Sequence, residues 1–237
     1  MPNTNAEDQD QLPIDVWSDV MCPFCYMGDR LLARALEQFP HAEHVDVRYR
    51  SYQLMPQLSA DRAVDLNELL VREKGLSRER AEALHAQVAE RGKAVGIDYR
   101  FERALAVNTR AAHRLSHFAR QHGKQRALML RLFSGYFTDG LHLGEHAVLA
   151  DLAAEVGLDR AAALEALESG AFEADVSADE EQARELGIGG VPFFVLDGKY
   201  AVHGAQPVGV FLEALHRGWS ERKECRADEP SGAPAAS

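Results

Sequence analysis

Asp19-Val20-Met21-Cys22-Pro23-Phe24-Cys25-Tyr26-Met27-Gly28 follows the apolar run 14–17 and precedes apolar residues at helical spacing between 31 and 39. A strand is therefore expected to lead two cysteines into the start of a helix. Pro23 suits the first turn, because the N–H that proline lacks would have no partner there. Cys22 then becomes the N-cap or a first-turn residue, where free backbone N–H groups and the helix dipole favour its thiolate.

The spacing of the two cysteines indicates redox chemistry. Cys25 lies one helical turn beyond Cys22, on the same side of the predicted helix. An i, i+3 pair brings the two sulfurs within bridging distance, so the pair can pass between dithiol and disulfide with little backbone movement.

Three other interpretations of these cysteines are weaker. A zinc site needs four ligands, and the remaining cysteine, Cys225, stands alone near the C-terminus. Covalent haem attachment requires a histidine directly after the second cysteine, where this chain has Tyr26. A purely structural disulfide would close a very short loop and restrict the unfolded chain little. We therefore predict no metal site and no cofactor.

The composition limits the size of the fold and the kind of partner. The chain has 237 residues, of which 46% are hydrophobic, enough for one sizeable domain or two small ones. Its formal charge is −11, and no block of lysine and arginine is long enough to follow a phosphate backbone. We expect no nucleic-acid partner and, without a long apolar run, no membrane partner.

Residues 1–13 are polar and acidic, and they lack the basic start and apolar core of a secretory signal. We expect this segment to be disordered. Three cysteines, two of them in one motif, are typical of a reducing compartment. The expected location is therefore the cytoplasm.

The order of predicted elements indicates an α/β fold interrupted by helices. An alternating strand at 45–52 follows the first strand and helix, giving a parallel β-α-β unit. The α/β pattern resumes with a helix at 177–186 and an apolar strand at 193–196. Between them we predict helices at 65–73, 78–95, 108–122, 124–137, 145–156 and 160–168. The expected division is a discontinuous domain at 14–60 and 177–218 and an inserted all-α domain at 61–176.

The C-terminal part contains a hairpin and a last helix. Asp197-Gly198 between two apolar runs predicts a two-residue turn and an antiparallel pair. Val208, Phe211 and Leu215 supply the apolar face of a helix at 207–217. Residues 219–237, rich in small and polar residues near the end, are expected to be disordered.

Taken together, these features resemble the DsbA-like oxidoreductases, specifically their FrnE-like branch. The resemblance rests on Cys22-Pro23-Phe24-Cys25-Tyr26, Asn108-Thr109-Arg110-Ala111-Ala112-His113-Arg114, Leu186-Gly187-Ile188-Gly189-Gly190-Val191-Pro192-Phe193-Phe194 and Gly204-Ala205-Gln206-Pro207. It covers residues 14–217. It implies an α/β thioredoxin fold with a large all-α helical insertion.

The resemblance also implies roles for individual residues. Cys22 would attack a disulfide and Cys25 would resolve the mixed disulfide. Pro192 would follow a cis peptide bond and flank the sulfurs, and Pro23, Phe24 and Val191 would contact the substrate. The implied partner is a disulfide- or thiol-containing protein or small molecule, and no oligomeric state is predicted.

The strongly oxidising periplasmic members of the family that this chain resembles carry Pro-His between their two cysteines. This chain departs from that pattern. Phe24 stands in the second position and offers no cationic hydrogen bond to a thiolate. Because the helix dipole remains, we expect a reduction potential between about −270 and −120 mV. The direction of exchange in the cell is left open.

Two other functions remain open. The layout also resembles glutathione-dependent kappa-type transferases and hydroxychromene-carboxylate isomerases, which usually carry serine where Cys22 stands. Those families tend to place an acidic residue where this chain reads Gly204-Ala205-Gln206. A binding module or chaperone with vestigial cysteines is the second alternative, and it predicts that Cys22→Ala retains all function.

Several polar residues have less certain roles. Asp19 is either a proton relay to Cys25 or a turn residue. His142 and His146 match an H-x-x-E-H zinc motif, but Gly144 stands between them and a helix there would be interrupted. We interpret these two histidines as ordinary solvated side chains. Cys225 is either idle or a second resolving thiol.

Overall fold

The computed structural model describes residues 11–227, with side chains up to Arg222. Strand β1 (Leu12–Ser18) leads into helix α1 (Pro23–Leu36), and strand β2 (Val45–Ser51) follows after a 3₁₀ turn at Ala42–His44. The prediction that residues 1–13 are disordered is wrong for residues 12 and 13, because these two pair with β2 in the sheet. Residues 1–10 lie outside the described part of the chain.

Six helices lie between β2 and residue 168. They are α2 (Leu66–Lys74), α3 (Arg78–Lys93), α4 (Arg110–Gln121), α5 (Gln125–Ser134), α6 (His146–Glu155) and α7 (Arg160–Glu168). Two short strands, β3 (Val64–Asp65) and β4 (Leu105–Ala106), pair antiparallel within this region. The insertion is therefore helical but not all-α. Two-residue strands are too short to produce an alternating pattern in the sequence. The domain boundaries at 61 and 176 stay a prediction.

The chain ends with helix α8 (Glu173–Glu185), strands β5 (Phe193–Leu196) and β6 (Tyr200–His203), and helix α9 (Val208–Ala227). Helix α9 continues beyond 218, so the predicted disordered tail 219–237 is wrong for 219–227. Tertiary contacts account for the extension, because the Trp219 ring stacks on His41 at 4.7 Å and Arg222 bonds Asp197. Residues 228–237 lie outside the described range.

The four main strands form one mixed sheet in the order β2-β1-β5-β6. Strands β1 and β2 run parallel, whereas β5 is antiparallel to both β1 and β6. The predicted β-α-β unit and the antiparallel hairpin are confirmed. Asp197 and Gly198 both have positive φ, 52° and 67°, as a tight hairpin turn requires. The connection spans three residues rather than two, because Leu196 pairs with Tyr200.

Helices cover both faces of the sheet. Ile14 and Val16 of β1 are buried in the main core together with Phe194 of β5 and Phe211 of α9. Trp17 points to the opposite face, where its indole N–H donates to the Asp179 carbonyl of α8 at 3.0 Å. This alternation along β1 is the period-two pattern of a strand with helices on each side.

Aromatic residues at the end of α5 and just beyond it belong to the core. Phe133, Tyr136 and Phe137 are fully buried, at the end of α5 and in the π-helical turn Gly135–Asp139. Within residues 11–227, no helix is both long enough and apolar enough to cross a membrane.

Candidate active site

Cys22 occupies the N-cap of α1, with Pro23 as the first helical residue. Its backbone is extended, with φ −90° and ψ 112°, and its carbonyl accepts from the Cys25 N–H at 3.1 Å. The Cys22 N–H donates to the Asp19 carbonyl at 3.0 Å, which closes the turn between β1 and α1. The Cys22 side chain therefore starts from the positive end of the helix, as the sequence predicted.

Both cysteines are free thiols and both are buried. Cys22 is 4% exposed and Cys25 is 2% exposed, so exposure does not separate them. The Cys22 thiol donates to the Val191 carbonyl at a sulfur–oxygen distance of 3.6 Å.

The two thiols differ in their surroundings. Burial raises the pKa of Cys25 well above its usual value, and the adjacent Cys22 raises it further. The nearby Ser18 hydroxyl and Asp19 backbone offset part of this increase. Cys25 is therefore held as a neutral thiol at physiological pH.

Val191 and Pro192 lie beside the cysteine helix, and the peptide bond between them is cis. Pairing of Trp17 with Phe193 places the start of β5 next to the end of β1. Pro192 approaches α1 closely at Gly28, where a Cβ atom would lie 3.0 Å from Pro192 Cγ. Glycine leaves room for the proline ring at this point.

The Asp19 carboxylate holds the bend before the cysteines. It is fully buried, and its Oδ2 accepts from the Leu54 N–H at 2.8 Å. The Nε2 atom of buried His113 lies 3.5 Å from Asp19 Oδ1. These contacts agree with the turn role of Asp19, because the carboxylate fastens the segment after β2 to the loop before α1.

Other residues of the 108–114 motif support the same region. The Asn108 side chain donates to the Pro56 carbonyl at 2.9 Å and accepts from Gln53 at 3.0 Å. Arg114 donates to backbone carbonyls at the end of α7, including Leu167 at 2.6 Å. The motif thus ties α4 to the loop beside Asp19 and to α7.

Tyr99 and Arg91 reach the site from the insertion, and nothing local in the sequence marked them. The Tyr99 hydroxyl donates to the Pro23 carbonyl at 2.5 Å. Burial raises the pKa of Tyr99 far above its usual value, and the nearness of Cys22 adds to the increase. The Arg91 guanidinium stands 5.3 Å from the centre of the Phe24 ring.

The histidines of the H-x-x-E-H pattern do not share a helix. His142 precedes α6, which begins at His146. In the described part of the chain, no three His, Cys, Asp or Glu side chains are grouped as metal ligands would be. The side chain of Cys225 lies outside the described residues.

The comparison with protein families matches residues 13–216 to the DSBA-like thioredoxin domain. The chain belongs to this family. Its mixed sheet with helices on both faces is accordingly a thioredoxin fold with a large helical insertion, as predicted.

Known relatives cover nearly the whole chain. The probable DsbA oxidoreductase of Streptomyces coelicolor is 34% identical, with a TM-score of 0.84 over 95% of this chain and 94% of that one. The uncharacterized YwbO protein of Bacillus subtilis is 28% identical over 85% of this chain and 94% of its own length. The 2-hydroxychromene-2-carboxylate isomerase structure covers 92% of this chain and 100% of that one, with a TM-score of 0.66. At 18% identity it shows the fold alone.

Proposed function

We propose that the chain is a thiol–disulfide oxidoreductase in which Cys22 attacks a disulfide and Cys25 resolves the mixed disulfide that forms. The observation that carries the proposal is the pair of free thiols at the start of α1, with Cys22 at the N-cap beside Val191. A helix N-terminus stabilises a thiolate, and the thiolate is the nucleophile in disulfide exchange.

In the reducing direction, the Cys22 thiolate attacks one sulfur of a substrate disulfide. A Cys22–substrate bond forms and the other substrate sulfur leaves as a thiolate. Cys25 then gives up its proton and attacks the Cys22 sulfur. The second substrate thiol is released, and a Cys22–Cys25 disulfide remains. In the oxidising direction the same steps occur in reverse order, so a dithiol substrate becomes a disulfide and the Cys22–Cys25 disulfide is reduced.

Pro23, Phe24, Val191 and Pro192 are the proposed substrate contacts. The Val191 carbonyl lies 3.6 Å from the Cys22 sulfur, so an extended peptide bonded to this backbone would pass directly over the thiol. Cytoplasmic action and membership of the FrnE-like branch are also part of the proposal. The small number of cysteines supports the first and the four sequence motifs support the second.

A redox titration of the Cys22–Cys25 pair tests the proposal. We expect a reduction potential between about −270 and −120 mV, and the value would separate a reductase from an oxidase. A Cys22→Ser variant provides the blank. A potential below about −300 mV would indicate an inert structural bridge and would contradict the proposal.

A further inference from the structure

The exposed side chain of Arg91 brings a positive charge to Phe24, a residue of the segment between the two cysteines. Its guanidinium lies 5.3 Å from the ring centre of Phe24, which stands between the two cysteines in the sequence. Among the side chains that the structure describes, Arg91 has no carboxylate partner. The charge is therefore available to a molecule that approaches Cys22.

Packing fixes Arg91 in this position. The next residue, Gly92, lies against the Tyr99 ring so closely that a Cβ atom would be 2.4 Å from ring carbons. Tyr99 in turn donates to the Pro23 carbonyl at 2.5 Å. The end of α3, Tyr99 and the first turn of α1 thus form one packed unit, which keeps Arg91 beside Phe24.

The contact with the Phe24 ring leaves the N–H groups of the guanidinium able to bind an anion. A cation–π contact uses the face of the guanidinium, whereas its N–H groups point outward in the plane and match a carboxylate. The chain as a whole carries a formal charge of −11, so a local cation beside Phe24 opposes the electrostatic field of the rest of the protein. A substrate carboxylate near the reacting sulfur would be attracted by Arg91 and repelled by the net negative charge of the rest of the protein.

We propose that Arg91 selects substrates that carry a carboxylate close to the disulfide or thiol that reacts with Cys22. This inference rests on the proposed function and names a substrate class for the same site. The carboxylate can belong to a small-molecule disulfide or to an acidic residue beside a cysteine in a peptide. Both would place negative charge next to the reacting sulfur.

Three small disulfides of different charge test the inference. They are 3,3′-dithiodipropionate, which is anionic, bis(2-hydroxyethyl) disulfide, which is neutral, and cystamine, which is cationic. Second-order rate constants of the reduced protein are measured at pH 7 and low salt, and each is divided by the rate constant of 2-mercaptoethanol with the same disulfide. This division removes the intrinsic reactivity of the disulfide.

We expect the anionic disulfide to be favoured over the neutral one by about threefold, the effect of one exposed charge pair. The preference over cystamine should be larger, and both should shrink in 1 M salt, where the Debye length is about 3 Å. Arg91→Gln should remove the preference and Arg91→Lys should keep most of it. Arg80→Gln, an exposed residue of the same helix near its other end, is the matched control and should keep it.

A pair of peptide disulfides, with Glu or Gln beside the cysteine, shows whether the same selection extends to proteins. A Glu preference that Arg91→Gln removes supports a peptide source, and its absence limits the selection to small anions. If no disulfide reacts through Cys22, the proposed function itself is overturned. If the disulfides react and Arg91→Gln leaves the charge preference unchanged, only the role of Arg91 is overturned.

Discussion

The thiol of Cys22 donates a hydrogen bond to the carbonyl of Val191, 3.6 Å away, although 169 positions separate the two residues. The bond joins the start of α1 to the loop before β5. A substrate or a disulfide on Cys22 removes the S–H donor, and the carbonyl then becomes free to accept from a bound peptide. Occupation of Cys22 and exposure of this backbone acceptor are thus coupled through one contact.

The order in which the two cysteines react can be tested by substitution. Cys22→Ser should abolish disulfide exchange, because the raised pKa of Cys25 keeps that thiol protonated. Cys25→Ser should still attack a disulfide but accumulate the mixed disulfide. Mass spectrometry of non-reduced samples would detect the adduct, with Cys225→Ser present in every variant so that the third thiol plays no part. Equal trapping through Cys25 in the Cys22→Ser protein would contradict this order.

The raised pKa of Cys25 predicts a pH effect on the stability of the reduced protein. A group whose pKa is higher in the folded than in the unfolded state contributes stability below the unfolded value, about 8.5 for cysteine, and this is lost as the pH rises. Between pH 8.5 and 9.5, reduced wild type should lose roughly 1 kcal/mol more of its unfolding free energy than Cys25→Ala. Urea unfolding under reducing conditions measures the difference. Parallel loss in both proteins would refute it.

Local signals explain what could be predicted from the sequence. Pro23 directly after Cys22 indicated the helix start, and Asp197-Gly198 indicated a turn that the positive φ angles of both residues confirm. The parallel pairing of β1 with β2 followed from the predicted β-α-β order. In each case the deciding residues are neighbours in the sequence or follow from general rules of sheet topology.

Tertiary contacts explain what could not be predicted. Tyr99 bonds Pro23 across 76 positions, and no periodicity in the sequence relates the two. The cation beside Phe24 is Arg91, which belongs to a different helix. The sequence between the two cysteines therefore gave no indication of this charge. Helix α9 extends beyond its predicted end because side chains such as Trp219 contact distant residues.

Asp179 should be important for stability. Its buried carboxylate accepts from the Ser51 N–H at 2.8 Å and lies 3.0 Å from His117 and 3.2 Å from Arg50. Asp179→Asn should lower the free energy of unfolding at pH 7 by about 2 kcal/mol, because it weakens the buried charge-assisted hydrogen bond from the Ser51 N–H and removes one of the two carboxylates that pair with Arg50, which keeps Asp15 at 2.7 Å. Asp175→Asn, on the exposed side of the same helix, should cost less than about 1 kcal/mol.

The cost of Asp179→Asn should also depend on pH. The Ser51 N–H, His117 and Arg50 lower the pKa of Asp179 against the opposing effect of burial. A carboxylate with a lowered pKa contributes stability above its unfolded value, about 3.9, and loses it as the pH falls through the folded value. The difference between wild type and variant should therefore decrease as the pH falls below about 4. A difference that grows below pH 4 would contradict this account.

Gly28 should control how closely Pro192 approaches the cysteine helix. An added Cβ would lie 3.0 Å from both Pro192 Cγ and Phe194 Cζ, closer than carbon atoms normally pack. We expect Gly28→Ala to cost about 1–3 kcal/mol of unfolding free energy and to slow disulfide exchange, because the Val191–Pro192 loop must move away from Cys22. Gly209→Ala is the matched control, since an added Cβ there meets no atom within 4 Å and alanine favours the helix. If Gly28→Ala exchanged disulfides as fast as Gly209→Ala, the distance between the loop and the cysteines would not limit the reaction.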